Sequence, residues 1–155
     1  MHKRGKLWGL WLGPLIGGLA LASVAHRLAA PSDPATLAKK AAIVVGELRS
    51  LSAEGRFLAE EGQRGTVTRV FLREHASQIA KDLHSPLDRL RRGEWHASQA
   101  WTQAGIDSGA RSLAALQELA DVDGSSPALQ RAAAALGASA GELSRLEQSL
   151  EQRSR

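Results

Sequence analysis

The chain has no cysteine and no tyrosine, and Phe57 and Phe71 are its only phenylalanines. Without thiols there can be no disulfide staple, no thiolate zinc or iron–sulfur site and no cysteine nucleophile. So few rings leave little for nucleic-acid bases to stack on. An excess of one charge is missing too, where it would matter. The twenty Lys and Arg outnumber the sixteen Asp and Glu, but Lys3, Arg4, Lys6 and Arg27 account for the difference, because no acidic residue precedes Asp33. Residues 28–155 therefore carry equal numbers of each sign. A neutral body lacks the phosphate-neutralising charge that drives nucleic-acid binding, so that class of partner is excluded. Strand signals are absent apart from the short β-branched run Ile43-Val44-Val45.

What the sequence does have begins after the basic segment 1–6. From Leu7 to Ala25 no residue is charged: LWGLWLGPLIGGLALASVA. Nineteen helical residues rise about 28 Å, close to the hydrocarbon thickness of a bilayer. Trp8 and Trp11 sit near its start, where amphipathic rings favour the interface, and the basic residues before it favour an N-in orientation. Residues 7–27 are thus expected to form a single transmembrane helix that leaves the bulk of the chain exported. The competing reading is a cleaved signal peptide, since Ala20-Leu21-Ala22 and Ser23-Val24-Ala25 both place small residues where a signal peptidase reads. Gly5, Gly9, Gly13 and Gly17 recur every four residues and stack on one helix face. In lipid such a glycine zipper lets a second helix approach closely, so a membrane protein or another copy of the chain is the expected partner. Pro14 introduces a mild local strain that neighbours can relieve.

Residues 28–33 read as a linker, followed by a body over 34–151 and a fraying tail over 152–155. The expected fold class is all-α: after the membrane helix, an antiparallel bundle of about four long helices. The first helix, over 34–63, carries Leu37, Ala41, Val44, Leu48, Leu51, Gly55 and Leu58 at a 4,3 spacing. The second starts near Thr66 with Leu72, Ala76, Ile79, Leu83 and Leu90 on one seam, and Ser85-Pro86 predicts a kink or break in it. The third, over 94–121, sets Trp95, Ile106, Gly109, Leu113, Leu116 and Ala120 in register. The fourth starts at Ser126-Pro127 and buries Leu129, Ala132, Leu136, Ser139, Leu143, Leu146 and Leu150. Gly105 and Gly109, and likewise Gly137 and Gly141, lie four apart. They predict unusually close packing of the third helix on the fourth, since each costs about 1 kcal/mol of helix propensity relative to alanine.

Chemistry is hard to find. None of the five histidines, His2, His26, His75, His84 and His96, pairs with another at i,i+3 or i,i+4. His75, Gln78 and Asp82 share a helix face, and His84 and His96 are placed to meet across a turn. Metal ligation in bundles usually recruits several carboxylates as well, so no metal is expected. Serines occupy caps and polar faces without a glycine-flanked nucleophile elbow. Glu60 and Glu61 are adjacent and point about 100° apart, which is a solvated face rather than an acid/base pair. No strand is available to hold a phosphate-binding glycine loop. No catalytic residue and no cofactor is therefore assigned.

Two features suit partner contact. Trp95 and Trp101 are six residues apart and cannot both face one core, and a tryptophan outside a core tends to anchor an interface. Arg89, Arg91 and Arg92 make the end of the second helix basic, while Glu54, Glu60 and Glu61 make the first acidic, so pairing across the hairpin is expected. The resulting expectation is a non-enzymatic bacterial inner-membrane protein, its N-terminus cytoplasmic and its body periplasmic, serving as an accessory, scaffold or assembly subunit. The alternatives are a periplasmic ligand- or metal-sensing bundle, and a cleaved soluble chaperone or binding protein.

Overall fold

The computed structural model describes residues 33–92, 99–121 and 126–155. Four helices make up nearly all of them: α1 (Pro34–Arg64), α2 (Arg69–Arg91), α3 (Gln99–Asp121) and α4 (Ser126–Arg153). The expected membrane helix over 7–27 and the glycine register within it lie outside the described residues. Among the described residues no helix is long and apolar enough to cross a membrane.

Local chemistry sets the α1–α2 hairpin. α1 stops at Gly65, whose φ of 71° suits a residue without a Cβ. The Gly65 amide bonds the Gly62 carbonyl at 3.1 Å and the Thr66 amide bonds the Glu61 carbonyl at 3.2 Å, the paired closure of a Schellman motif. Three residues later Thr68 caps α2, its hydroxyl accepting from the Phe71 amide at 3.2 Å. The chain therefore reverses within four residues.

Each helix runs antiparallel to the next. Arg89 of α2 pairs with Glu47 of α1 at one end, and Leu72 packs on Gly62 at the other. Leu90 and Leu87 of α2 face Gly105 and Gly109 of α3, while Arg73 reaches the Ala120 carbonyl at 3.3 Å. Arg111 of α3 pairs with Glu142 of α4, and Glu118 with Arg131. α4 returns along α1, Leu136 against Gly55 and Glu147 against Gly46. The ring is closed, and α1 and α3 lie diagonally and run parallel, with Leu48 near Gly109, Ser52 bonded to Ser112 and Leu116 against Gly55. The expected antiparallel four-helix bundle is the observed one.

Leucines from all four helices meet in the middle: Leu48, Leu83, Leu87, Leu90, Leu116, Leu119, Leu136 and Leu143 are all fully buried. The expected seams of α1, α2 and α4 fall on this core with little change. Leu37, Leu51 and Leu146 are only half-buried against it.

Four expectations need correction. α2 is not broken at Ser85-Pro86: the helix is continuous from Arg69 to Arg91, with Pro86 buried. A proline inside a helix costs about 3 kcal/mol; here the flanking Leu83, Leu87 and Leu90 all bury completely, which offsets that cost. The buried stripe of α3 is turned by about one residue from the expected one. Gly105, Ser108, Gly109, Ser112, Ala115, Leu116 and Leu119 face inward, whereas Ile106, Leu113 and Ala120 are half-buried. The true stripe is glycine and serine over its first half and carries leucine only at 116 and 119, which an apolar count does not register. The fourth helix runs to Arg153, two residues beyond the expected end of the body at 151.

The fourth correction concerns the glycines. Those of α3 and α4 do not approach one another. A Cβ on Gly105 would lie 2.9 Å from Leu90 Cδ1, and one on Gly109 would lie 2.9 and 3.1 Å from Leu87 Cδ2 and Cγ. Both glycines thus make room first for α2 leucines, although Leu146 of α4 also stands 3.5 Å from a Gly105 Cβ. Gly137 makes room for the stem of Arg56 from α1, at 3.2 Å, and Gly141 has nothing within 4 Å. Two opposite outcomes follow. Gly141→Ala is expected to stabilise the bundle by up to about 1 kcal/mol, since only helix propensity changes. Gly109→Ala is expected to destabilise it by about 1 kcal/mol despite the same propensity gain, because Leu87 is fully buried and has nowhere to go. Urea denaturation of the two variants reads both signs.

Candidate functional site

Each predicted contact residue can now be placed, where it is described. Trp95 and His96 lie outside the described residues. Trp101 is half-buried and packs against the core from the start of α3. Arg89 forms an ion pair with Glu47, Arg91 lies 3.6 Å from Asp88, and the Arg92 side chain reaches the Asp88 carbonyl. The basic end of α2 is therefore partly spent on its own bundle.

Pairing across the α1–α2 hairpin differs from expectation. Glu54 accepts from His75 Nε2 at 3.1 Å, and Glu47 from Arg89. Glu60 and Glu61 pair instead along their own helix, with Arg56 and Arg64. The reason is reach: residues three and four apart on a helix are already neighbours. The Glu61 carboxyl is held below its ordinary range, mainly by the hydroxyl of Thr66, which lies 2.6 Å away, with Arg64 adding to the effect. Phe71 stacks on the His75 ring with centroids 5.2 Å apart. Gln78 donates to Asp82 at 3.0 Å, so the expected face of His75, Gln78 and Asp82 is occupied by its own hydrogen bonds. Among the described residues no three His, Asp or Glu side chains are grouped to hold a metal ion.

Between α3 and α4, the buried Ser108 hydroxyl donates to Glu142 at 2.7 Å, and Arg111 binds the same carboxylate. The serine bond, followed by the two arginines Arg111 and Arg145, lowers the Glu142 pKa against a partial desolvation penalty. A folded-state pKa below the unfolded one means stability that is present above the ordinary carboxyl value of 4.5 and is lost as pH falls below it. Glu142→Gln is expected to destabilise the bundle at pH 7 by less than about 1 kcal/mol, because the group is half exposed. The gap to the parent chain should close as both are titrated below pH 4.5, followed by circular dichroism.

The surface feature that stands out is the outer side of α1. Ile43 is 57 % exposed and Phe57 61 % exposed, and in the next helix Val70 and Phe71 are exposed too. Between Ile43 and Phe57 the helix offers Gly46, Ser50 and Ala53, all small. A shallow open groove lies over Gly46 and Ser50, walled by Lys81 and Ser85 of α2 and by Glu147 of α4. Glu147 reaches over Gly46 to pair with Arg49 at 3.0 Å, and a Cβ on Gly46 would stand 2.6 Å from its carboxylate.

Sequence reasoning did not single out this face. The signal is present nonetheless: Lys39, Ile43, Gly46, Ser50, Ala53 and Phe57 follow the same 4,3 spacing as the core seam, on the opposite side of the helix. It is weak because only its ends are large and apolar. No protein family, curated protein or solved structure matches this chain, so the face is read from its own residues.

Proposed function

We propose that the chain is a non-enzymatic single-pass inner-membrane protein whose exported helical bundle serves as an accessory or scaffold subunit of a membrane protein complex. One juxtaposition carries this reading. A charge-free run of bilayer length, preceded by basic residues, ends a few residues before a charge-balanced bundle whose leucine core closes without outside help. A bundle complete in itself is free to present its outer faces to a partner. The glycine register at Gly5, Gly9, Gly13 and Gly17 supports helix docking within the bilayer, with another membrane protein or a second copy as the occupant.

Carbonate extraction of bacterial membranes tests the anchoring. The full chain should stay in the membrane pellet, and a periplasm-dependent reporter fused after Arg155 should be active. Recovery of the untruncated chain in the soluble cytosolic fraction would overturn the reading. For the docking, Gly9→Leu with Gly13→Leu should abolish partner co-purification from native membranes, since two leucines would hold the helices apart.

A further inference from the structure

The register of the four helices brings three buried hydroxyls to one height. Gly62 meets Leu72 and Glu47 meets Arg89, which sets Ser52 of α1 level with Leu83 of α2. Leu87 stands against Gly109 and Leu90 against Gly105, so Ser112 of α3 is level with Leu83 too. Leu136 on Gly55 and Glu147 on Gly46 bring Ser139 of α4 to the same height. One core layer therefore consists of Ser52, Leu83, Ser112 and Ser139, one residue from each helix and all buried. The layer on one side has three large side chains, Leu48, Leu87 and Leu143, beside Gly109. The layer on the other has Ile79, Leu116 and Leu136 beside Gly55. The serine layer has one.

We infer that this layer is a binding site for a single water molecule, held in the core between the hydroxyls of Ser139, Ser112 and Ser52. Two independent observations select it. The first is room: cores pack to a nearly constant density, and three serines fill far less of a layer than three leucines. The second is Ser139, whose hydroxyl is buried and has no hydrogen-bond partner among the described residues. A buried polar group left in that condition is costly. The protons already assigned show what fits. Ser52 gives its proton to the Leu48 carbonyl at 2.8 Å, and Ser112 gives its own to Ser52, 2.7 Å away. Neither has a proton left, yet Ser112 keeps two acceptor lone pairs and Ser52 keeps one. Ser139 still has a proton to give. A water accepting from Ser139 and donating to Ser112 and Ser52 makes about three bonds, the usual complement of a buried water. An apolar occupant would leave Ser139 unpaired, and a cation would find no carboxylate in this layer.

The test uses the full chain in mild detergent and does not depend on the membrane run. Ser139→Ala should lower the melting temperature by about 3 °C, because the water loses its donor. In a Ser112→Val background, whose added methyls take the place of the water, the same substitution should no longer lower it. Two groups that make no direct bond are thereby coupled through the molecule between them. Oxygen-17 relaxation dispersion, which is blind to exchanging hydroxyl protons, should count one fewer long-lived water in Ser112→Val than in the parent. Without a water, the Ser139 hydroxyl has only its own helix to turn to, and Ser139→Ala would act equally in both backgrounds. Equal shifts, a higher melting temperature for Ser139→Ala in the parent, or an unchanged water count would each overturn the inference.

Discussion

Leu48→Ala is expected to lower the stability of the bundle by about 3 kcal/mol, within the range for leucine truncation in a packed core. For a body of this size that is a fall in melting temperature of about 10 °C. Leu48 is fully buried, its side chain sits 3.4 Å from where a Gly109 Cβ would stand, and its carbonyl accepts the Ser52 hydroxyl. Three elements of packing thus meet at one residue on the diagonal between α1 and α3. Neighbouring leucines are themselves locked in place, so the cavity has little means to collapse. Phe57→Ala removes a larger side chain from the outside of the same helix, yet should change stability by no more than about 0.5 kcal/mol. Thermal and urea denaturation of the pair separate the two faces of α1.

The second large effect comes from polar groups. Ser52 and Ser112 are both fully buried and their hydroxyl oxygens lie 2.7 Å apart. The Ser52 hydroxyl donates to the Leu48 carbonyl at 2.8 Å. A serine has one proton to give, so Ser112 must be the donor between the two. This ordering makes the two alanine substitutions unequal. Ser52→Ala leaves the Ser112 proton facing a methyl group inside a leucine core and is expected to cost about 2 kcal/mol. Ser112→Ala leaves Ser52 still bonded to its own helix and should cost less than about 1 kcal/mol. The double variant should be less destabilised than the sum of the singles, because the unpaired donor disappears with its partner. Equal, additive losses would show that the Ser112 hydroxyl turns back onto its own helix instead.

These serines also show where the sequence is readable and where it is not. The seams of α1, α2 and α4 are legible because leucine and alanine fall at helical spacing over many turns. On α3 the inward positions include Ser108 and Ser112, and two more are glycines, so the apolar signal drifts to Ile106 and Leu113 on the shoulder of the helix. Ser139 on α4 follows a similar rule. The antiparallel register that puts Leu136 against Gly55 sets it level with Ser52, and its hydroxyl has no hydrogen-bond partner. The bundle therefore has a polar level at mid-height, built from three helices, which no single-helix pattern reveals.

Proline misled in a different way. Ser85-Pro86 resembles a helix start at Ser126-Pro127, and there α4 does begin at Ser126. At Pro86 the same dipeptide is carried through because the leucines on either side are buried across α1 and α3. Local chemistry proposes an end, and tertiary packing decides whether it is used. The glycines needed the structure for the opposite reason. Their spacing marks close approach at Gly105 and Gly109, but only the structure shows that the α2 leucines come nearest, with Leu146 of α4 standing further off from Gly105 at 3.5 Å. The outer face of α1 was legible in principle, since its spacing repeats the core's. Its signal is weak because just two of its residues, Ile43 and Phe57, are large and apolar.

An even number of helices, each reversing the last, returns the end of α4 to the beginning of α1, where Lys39, Ala42, Glu151, Ser154 and Arg155 line one hollow. Tension applied between the two ends would therefore peel α1 away from α4 turn by turn, as a zip opens, instead of sliding two full-length helices past each other. A body tethered at residue 34 and loaded near residue 153 is mechanically soft. The same body loaded at the α1–α2 turn, at the far pole, would be pulled along its helices and resist far more.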